Sequence, residues 1–147
     1  MIRHFLAIVV GLIIGGVVIA AIESISVVLN PLPPGMNAAD PEEMQQFLAK
    51  APISAFLIVL AAHSMGAFSA AFACGVFVRR PWLTGSLILG TLFLAAGVAN
   101  LWMIAHPLWF AVFDVSLYLP AAVLGGKCAE LTLPPGSRQP SDQAPAA

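Results

Sequence analysis

The run ISAFLIVLAAHSMGAFSAAFACGVFV, residues 53–78, decides the fold, because it is mostly apolar and contains no Asp, Glu, Lys or Arg. A helix of about 20 apolar residues is long enough to cross a bilayer. Further hydrophobic runs lie at about residues 5–29, 82–105 and 107–125. All of them contain the Gly, Ala or Ser that transmembrane helices use for close packing. The sequence therefore predicts an all-α protein, an integral membrane four-helix transmembrane bundle.

The composition agrees with this fold class. Of 147 residues, 60% are hydrophobic and 9% are charged, whereas a soluble domain has roughly 25% charged residues. A net charge of −1 provides no basic field for nucleic acid, so the expected partner is the lipid bilayer and not a nucleic acid. Cys74 and Cys128 form no CxxC pair and indicate neither a redox motif nor a zinc site.

The first run begins MIRHF, as a signal peptide could, but it exceeds the roughly 7–15 residues of a signal-peptide core. It therefore favours an uncleaved helix. Residues 41–50 predict a short amphipathic helix in the first outer loop, because Asp40 suits an N-cap and Pro41 the first helical position. Met44, Phe47 and Leu48 share one face of it. A cap lying at the membrane interface and a mobile lid both fit this segment.

The basic residues predict the orientation. Five of the six lie on one side of the predicted spans: Arg3, Arg79, Arg80, Lys127 and Arg138. Only Lys50 lies on the other side, in a loop that is otherwise acidic. Because Lys and Arg favour the cytoplasmic side, we expect a multi-pass inner-membrane protein with both termini cytoplasmic. Residues 1–126 form the predicted transmembrane domain, and 127–147 a polar, Pro-rich tail predicted to be disordered.

Each predicted span carries one strongly polar side chain on the face that it is expected to turn inward. Helical phase and a rise of about 1.5 Å per residue place these side chains inward and in the outer half of the bundle. The predicted polar cluster consists of Glu23, His63, Asn100, Asp114 and, one turn below Asp114, Tyr118. His106 lies at the predicted rim. Helix packing is assigned to Gly11, Gly15, Gly66 and Ala70, either within one bundle or between protomers of a homo-oligomer.

Three interpretations of the cluster stay open. A structural or accessory role fits best, because interhelical hydrogen bonds fix helix order. Alternatively, Glu23 and His63 bind a small ligand or couple proton transport, since histidine titrates near neutrality. A metal-dependent membrane enzyme is the third, but no HxxxH or HExxH spacing supports it. Ser64 and Ser116 lie in no nucleophile motif, so we predict no catalytic residue and no cofactor.

Several segments resemble one group of sequences. They are ES at 23–24, NPLPPGM at 30–36, AHSMGAF at 62–68, AGVANLWMIAHPLWF at 96–110, and Asp114 followed by LPAAVLGGKCA at 119–129. Together they resemble uncharacterised small bacterial four-helix integral membrane proteins over nearly the whole chain apart from the tail. The resemblance implies a bacterial inner-membrane location and no particular activity.

Overall fold

The computed structural model describes residues 2–78, 81–104 and 106–132. They form five helices and, within these ranges, no strand: α1 (Ile2–Leu29), α2 (Pro41–Lys50), α3 (Ile53–Val78), α4 (Trp82–Met103) and α5 (Leu108–Thr132). By length and composition, α1, α3, α4 and α5 are each able to cross a membrane. The predicted all-helical fold with four long apolar helices is confirmed.

The central helix of the bundle is α3. It packs against α1, α5 and α4, while α4 also packs on α5 and, more lightly, on α1. The part of α3 that faces its neighbours is built from small residues, including Ala67, Ala70, Ala71 and Cys74, all buried. Small side chains let helix backbones approach closely, which is why one helix can contact three others.

The crossing of α1 and α3 has no room for side chains at two positions of α1. A Cβ atom added to Gly11 would lie 2.8 Å from the carbonyl oxygen of Ala70, and one added to Gly15 would lie 2.7 Å from that of Gly66. Both distances are shorter than ordinary van der Waals contact. The structure therefore places all four predicted packing residues at a helix crossing within a single chain.

One end of the bundle, which we call the loop end, carries α2. The Oδ1 atom of Asp40 accepts hydrogen bonds from the backbone N–H groups of Glu42 (2.9 Å) and Glu43 (3.3 Å), so Asp40 is the predicted N-cap. Gly35, at φ 83°, takes the left-handed conformation that the preceding turn requires. Leu48 packs against an apolar cluster that includes Phe56. The helix predicted at 41–50 is therefore confirmed, lying across this end.

The opposite end, which we call the basic end, gathers the described cationic residues of the long helices. The Nε and Nη2 atoms of Arg3 donate to the carbonyl oxygen of Phe77, at 3.0 and 2.6 Å. Phe77 lies in the last turn of α3, where carbonyl groups lack helical partners. Lys127 Nζ lies 2.5 Å from Glu130 Oε2 and 5.5 Å from the ring centroid of Trp82. Arg3 and Lys127 thus share one end, as predicted.

Two predicted helix ends need correction. The last helix does not stop at 125 but continues through Gly125 and Gly126 to Thr132, because both glycines are packing positions. A Cβ on Gly125 would overlap the backbone of Phe68, and one on Gly126 would overlap the side chain of Ser86.

The other correction concerns α4, which ends at Met103 and not at 105. Arg79 and Arg80, two of the basic residues that predict the orientation, lie outside the described residues. So does the part of the predicted tail beyond Thr132, which includes Arg138.

Candidate functional site

Three helices bring four polar side chains together between the loop end and the middle of the bundle. Glu23 continues the inward face of α1 that begins with Ala7, Gly11 and Gly15, at a spacing of four residues. At the same helical spacing, Asp114 and Tyr118 lie on the buried face of α5. His63 lies on the buried face of α3. We call Glu23, His63, Asp114 and Tyr118 the polar chain.

The imidazole of His63 lies between two carboxylates, with one at each ring nitrogen. Its Nδ1 atom is 2.6 Å from Oδ1 of Asp114, and its Nε2 atom is 3.3 Å from Oε1 of Glu23. A neutral imidazole has one N–H, whereas the imidazolium has two. When both carboxylates are ionised, therefore, only a protonated His63 presents an N–H group to each of them.

Tyr118 closes the buried side of the polar chain. Its hydroxyl donates to Oδ2 of Asp114 at 3.2 Å and lies 2.8 Å from Nδ1 of His63. The Tyr118 and His63 rings also stack, with centroids 5.5 Å apart and planes at 26°. On α4, Gly97 leaves the space that the Tyr118 ring occupies, because a Cβ there would lie 2.7 Å from Tyr118 Cε2 and Cζ. Gly97 thus makes room for the site, although it contributes no polar side-chain atom to it.

Exposure falls along the polar chain. The side chain of Glu23 is 40% exposed, that of His63 10% and that of Asp114 1%, and Tyr118 is buried. Within the described residues, no buried side-chain nitrogen or oxygen lacks a hydrogen-bond partner. The polar chain is therefore internally satisfied, and Glu23 is its most open member.

Asn100 lies outside this arrangement, which corrects the predicted cluster. It is exposed, and no side-chain hydrogen bond joins it to the polar chain among residues 2–78, 81–104 and 106–132. Because α4 ends at Met103, Asn100 lies in its last turn. The inward face of α4 runs from Phe93 through Gly97 to Leu101, which packs on the apolar cluster at the loop end.

His106 lies in the turn between α4 and α5, at the rim where the sequence predicted it. Its Nδ1 donates to the carbonyl oxygen of Ile104 at 2.7 Å. Its ring stacks on that of Phe110, with centroids 5.1 Å apart. Phe110 in turn packs against Phe56. The structure thus joins His106 to an aromatic cluster and not to the polar chain.

The described residues include no group of three His, Cys, Asp or Glu side chains placed to hold a metal ion. The geometry of the polar chain gives the reason, since Glu23 and Asp114 contact opposite nitrogens of one ring. Their oxygens therefore do not converge on a single point with His63. Cys74 and Cys128 are free thiols on the other half of the bundle.

Two concave features lie away from the polar chain. A cleft of about 640 Å³ at the loop end lies between residues 30–36 and α2, and its walls include Phe47, Glu43 and Lys50. A smaller crevice of about 190 Å³ lies between α1 and α4 near the basic end, next to Cys74 and Trp82. Neither is lined by a member of the polar chain.

No family model matches this chain, and neither the curated proteins nor the solved structures give a match. The function of the chain is therefore inferred from the geometry of the site.

Proposed function

We propose that this is a small integral inner-membrane protein with a structural or accessory role, in which the polar chain ties three membrane-spanning helices together. The length and apolarity of α1, α3, α4 and α5 support the spanning arrangement. Trp82 at the basic end and Trp102 and Trp109 at the loop end suit the two aromatic belts of a membrane protein.

Charge supports the proposed orientation. Arg3 and Lys127 lie at the basic end, while the acidic first turn of α2, with Glu42 and Glu43, lies at the loop end. Since Lys and Arg favour the cytoplasmic side, both termini are assigned to the cytoplasm and α2 to the outer face. The sequence resemblance described above supports a bacterial inner membrane as the location.

The observation that carries the proposed role is the position of the His63 ring. Its two nitrogens contact α1 through Glu23 and α5 through Asp114, and these helices pack mainly on α3 and not on each other. Interhelical hydrogen bonds in membranes contribute on average about 0.6 kcal/mol each. Leaving a buried group such as Asp114 without a partner costs about 1–3 kcal/mol. The polar chain therefore acts mainly by making unfavourable any helix arrangement that leaves a buried group such as Asp114 without a partner.

Replacement of His63 tests this role. We expect His63→Ala to lower the free energy of unfolding by about 1–3 kcal/mol, because Asp114 loses its shortest contact. His63→Gln keeps an amide donor and acceptor and should retain most of the stability. The measurement is thermal or denaturant unfolding of the purified protein in bicelles.

Ser64→Ala is the matched control, because the neighbouring Ser64 hydroxyl donates only to the Leu60 carbonyl of its own helix. If His63→Ala and Ser64→Ala unfold alike, the polar chain does not tie the helices.

A second candidate function, binding of a proton or of a small ligand that carries one, is favoured by the exposure gradient. The polar chain leads from the half-open Glu23 to the fully buried Asp114. A purely structural tie has no need of an accessible carboxylate at one end, so the gradient supports exchange with the outside.

A further inference from the structure

We propose that the polar chain is a binding site for one exchangeable proton, which enters and leaves from the loop end alone, through Glu23. This proposal rests on the proposed function, because it takes the bundle to span a membrane. It specifies that the polar chain binds a proton, that the proton enters and leaves at Glu23, and that the site is closed toward the basic end.

The port is Glu23, the member of the polar chain with the most exposed side chain, at 40%. Counted along the helices, Glu23 and Asp114 lie about 9 Å from the loop-end termini of α1 and α5, and His63 lies about 15 Å from that of α3. Glu23 therefore lies nearer to the loop end than His63 by about one helical turn. Its Oε1 atom makes an ion-pair contact of 3.3 Å with Nε2 of His63, close to hydrogen-bond distance.

The transfer needs no partner beyond water. The O–H bond of protonated Glu23 breaks as an N–H bond forms at Nε2 of His63. The N–H bond at Nδ1 then breaks as an O–H bond forms on Oδ1 of Asp114, 2.6 Å away. The net result is one proton moved from Glu23 to Asp114, with the imidazole left as its other tautomer and no electron transferred.

Few titratable groups face His63, which limits how many protons the site can bind. They are Glu23 from α1, and Asp114 and Tyr118 from α5. Residues 82–103 of α4 contain no titratable side chain, and α3 has no Asp, Glu, Lys or Arg. With both carboxylates ionised, one added proton changes the charge of the chain from −2 to −1.

The site is closed toward the basic end. Below His63 and Tyr118 the core consists of apolar residues, among them Ala67, Ala70, Leu89 and Ala122, each 0% exposed. The buried polar residue Ser86 donates to the Trp82 carbonyl and lies about 16 Å along α4 from Gly97, the residue against Tyr118. That gap exceeds hydrogen-bond reach several-fold. A proton bound at Asp114 therefore returns by the way it came.

The test follows the ring nitrogens of His63 by nitrogen NMR of histidine-labelled full-length protein in nanodiscs, between about pH 5 and 9. His4→Gln and His106→Gln assign the other two signals. We expect the two ring-nitrogen signals of His63 to change in a single pH-dependent step, as the ring passes from its Nδ1–H to its Nε2–H tautomer. Replacing the port by Glu23→Gln should slow exchange of the ring proton with water by about 100-fold, the lower range for a positioned acid or base.

Glu42→Gln is the matched control, because Glu42 is exposed on α2 at the same end of the bundle. We expect its exchange rate to equal that of the unmodified protein. A His63 ring whose nitrogen signals do not change with pH, or whose proton exchanges equally fast in Glu23→Gln and Glu42→Gln, overturns the proposal.

A separate measurement tests whether the proton site opens to one side of the membrane only. Proteoliposomes loaded with a pH-sensitive dye are given an outward potassium gradient with valinomycin, and we expect internal pH to change no faster than in protein-free liposomes. Proton flux above that background overturns the closed side.

The stability assay separates the two proposals. Normal stability of His63→Ala together with port-dependent exchange refutes the tie and keeps the proton site. Lowered stability of His63→Ala together with exchange that does not depend on Glu23 refutes the proton site and keeps the tie.

Discussion

Tyr118 holds its place at the polar chain because its neighbour has no side chain. The ring lies against Gly97 of α4, where a Cβ would come within 2.7 Å of two ring carbons. The same ring stacks on His63, and its hydroxyl contacts Asp114. A change at Gly97 therefore reaches the polar chain through Tyr118, although Gly97 itself has no polar side-chain atom.

This dependence gives a prediction for Gly97→Ala. The added methyl group must displace the Tyr118 ring, and overpacking of this kind costs about 1–3 kcal/mol. We expect that loss in the free energy of unfolding in bicelles. In a Tyr118→Leu background the ring atoms are gone, so the further cost of Gly97→Ala should fall close to zero. Equal costs in both backgrounds would show that the Tyr118 ring is not what the methyl group meets.

Helical phase alone was sufficient to predict that most of the site residues lie together. Glu23, His63 and Asp114 each lie on a small-residue or buried face, and a polar side chain in an apolar helix faces protein. Phase could not show which ring nitrogen of His63 meets which carboxylate, because that depends on side-chain rotamers. It failed for Asn100, since the inward face of α4 passes through Leu101, one residue away.

Among the helices, α1 owes its position to absent side chains more than to apolar burial. Its buried residues are Ala7, Gly11 and Gly15, while large apolar residues such as Ile13 and Val17 point outward, at 61% and 62% exposed. An outward apolar face is what a lipid-facing helix requires. The fit of α1 onto α3 therefore depends on a few glycine positions.

Two adjacent glycines test that dependence. In Gly15→Ala the new Cβ would lie 2.7 Å from the Gly66 carbonyl oxygen, and backbone cannot move aside cheaply, so we expect a loss of about 1–3 kcal/mol. Gly16→Ala adds the same methyl group where nothing lies within 4 Å, and it should change stability by no more than about 1 kcal/mol. Unfolding in bicelles measures both, and similar values for the two would contradict the crossing described here.

The sequence located every long helix but misplaced the end of the last one. A glycine pair after an apolar run is a common signal for a helix end, which is why Gly125 and Gly126 suggested a stop. In the structure both lie against other helices, and α5 continues to Thr132. Packing glycines and terminating glycines look the same in one sequence, because the difference lies in what they contact.

At the scale of the whole molecule, charge is divided between the two ends. Arg3 and Lys127 lie at the basic end, and Asp40, Glu42 and Glu43 lie at the loop end. The bundle between them carries few ionisable side chains, among them Glu23 and Asp114, which both contact His63. This polarity underlies the proposed orientation and makes it open to a direct measurement.

We predict that cysteine labelling will separate the two ends. In a chain with Cys74→Ala and Cys128→Ser, a cysteine at Gln45 on α2 should react with a membrane-impermeant maleimide added to intact spheroplasts. A cysteine at Ser137, outside the described residues, should react only after lysis. The opposite pattern of labelling would reverse the orientation, and labelling of both sites in intact spheroplasts would mean that the chain does not span the membrane as proposed.

The wide sequence separation of the contacts that close the bundle has a consequence for synthesis. Arg3 is 74 residues from its partner Phe77, and His63 is 51 residues from Asp114. Because synthesis starts at the N-terminus, α1, with Glu23, is made before the helices that it packs against, α3 and α4, exist. The polar chain is complete only after α5 has been synthesised, so Glu23 and His63 lack their full set of partners until then. In the membrane arrangement proposed above, α1 can pack stably only after the helices downstream have been made.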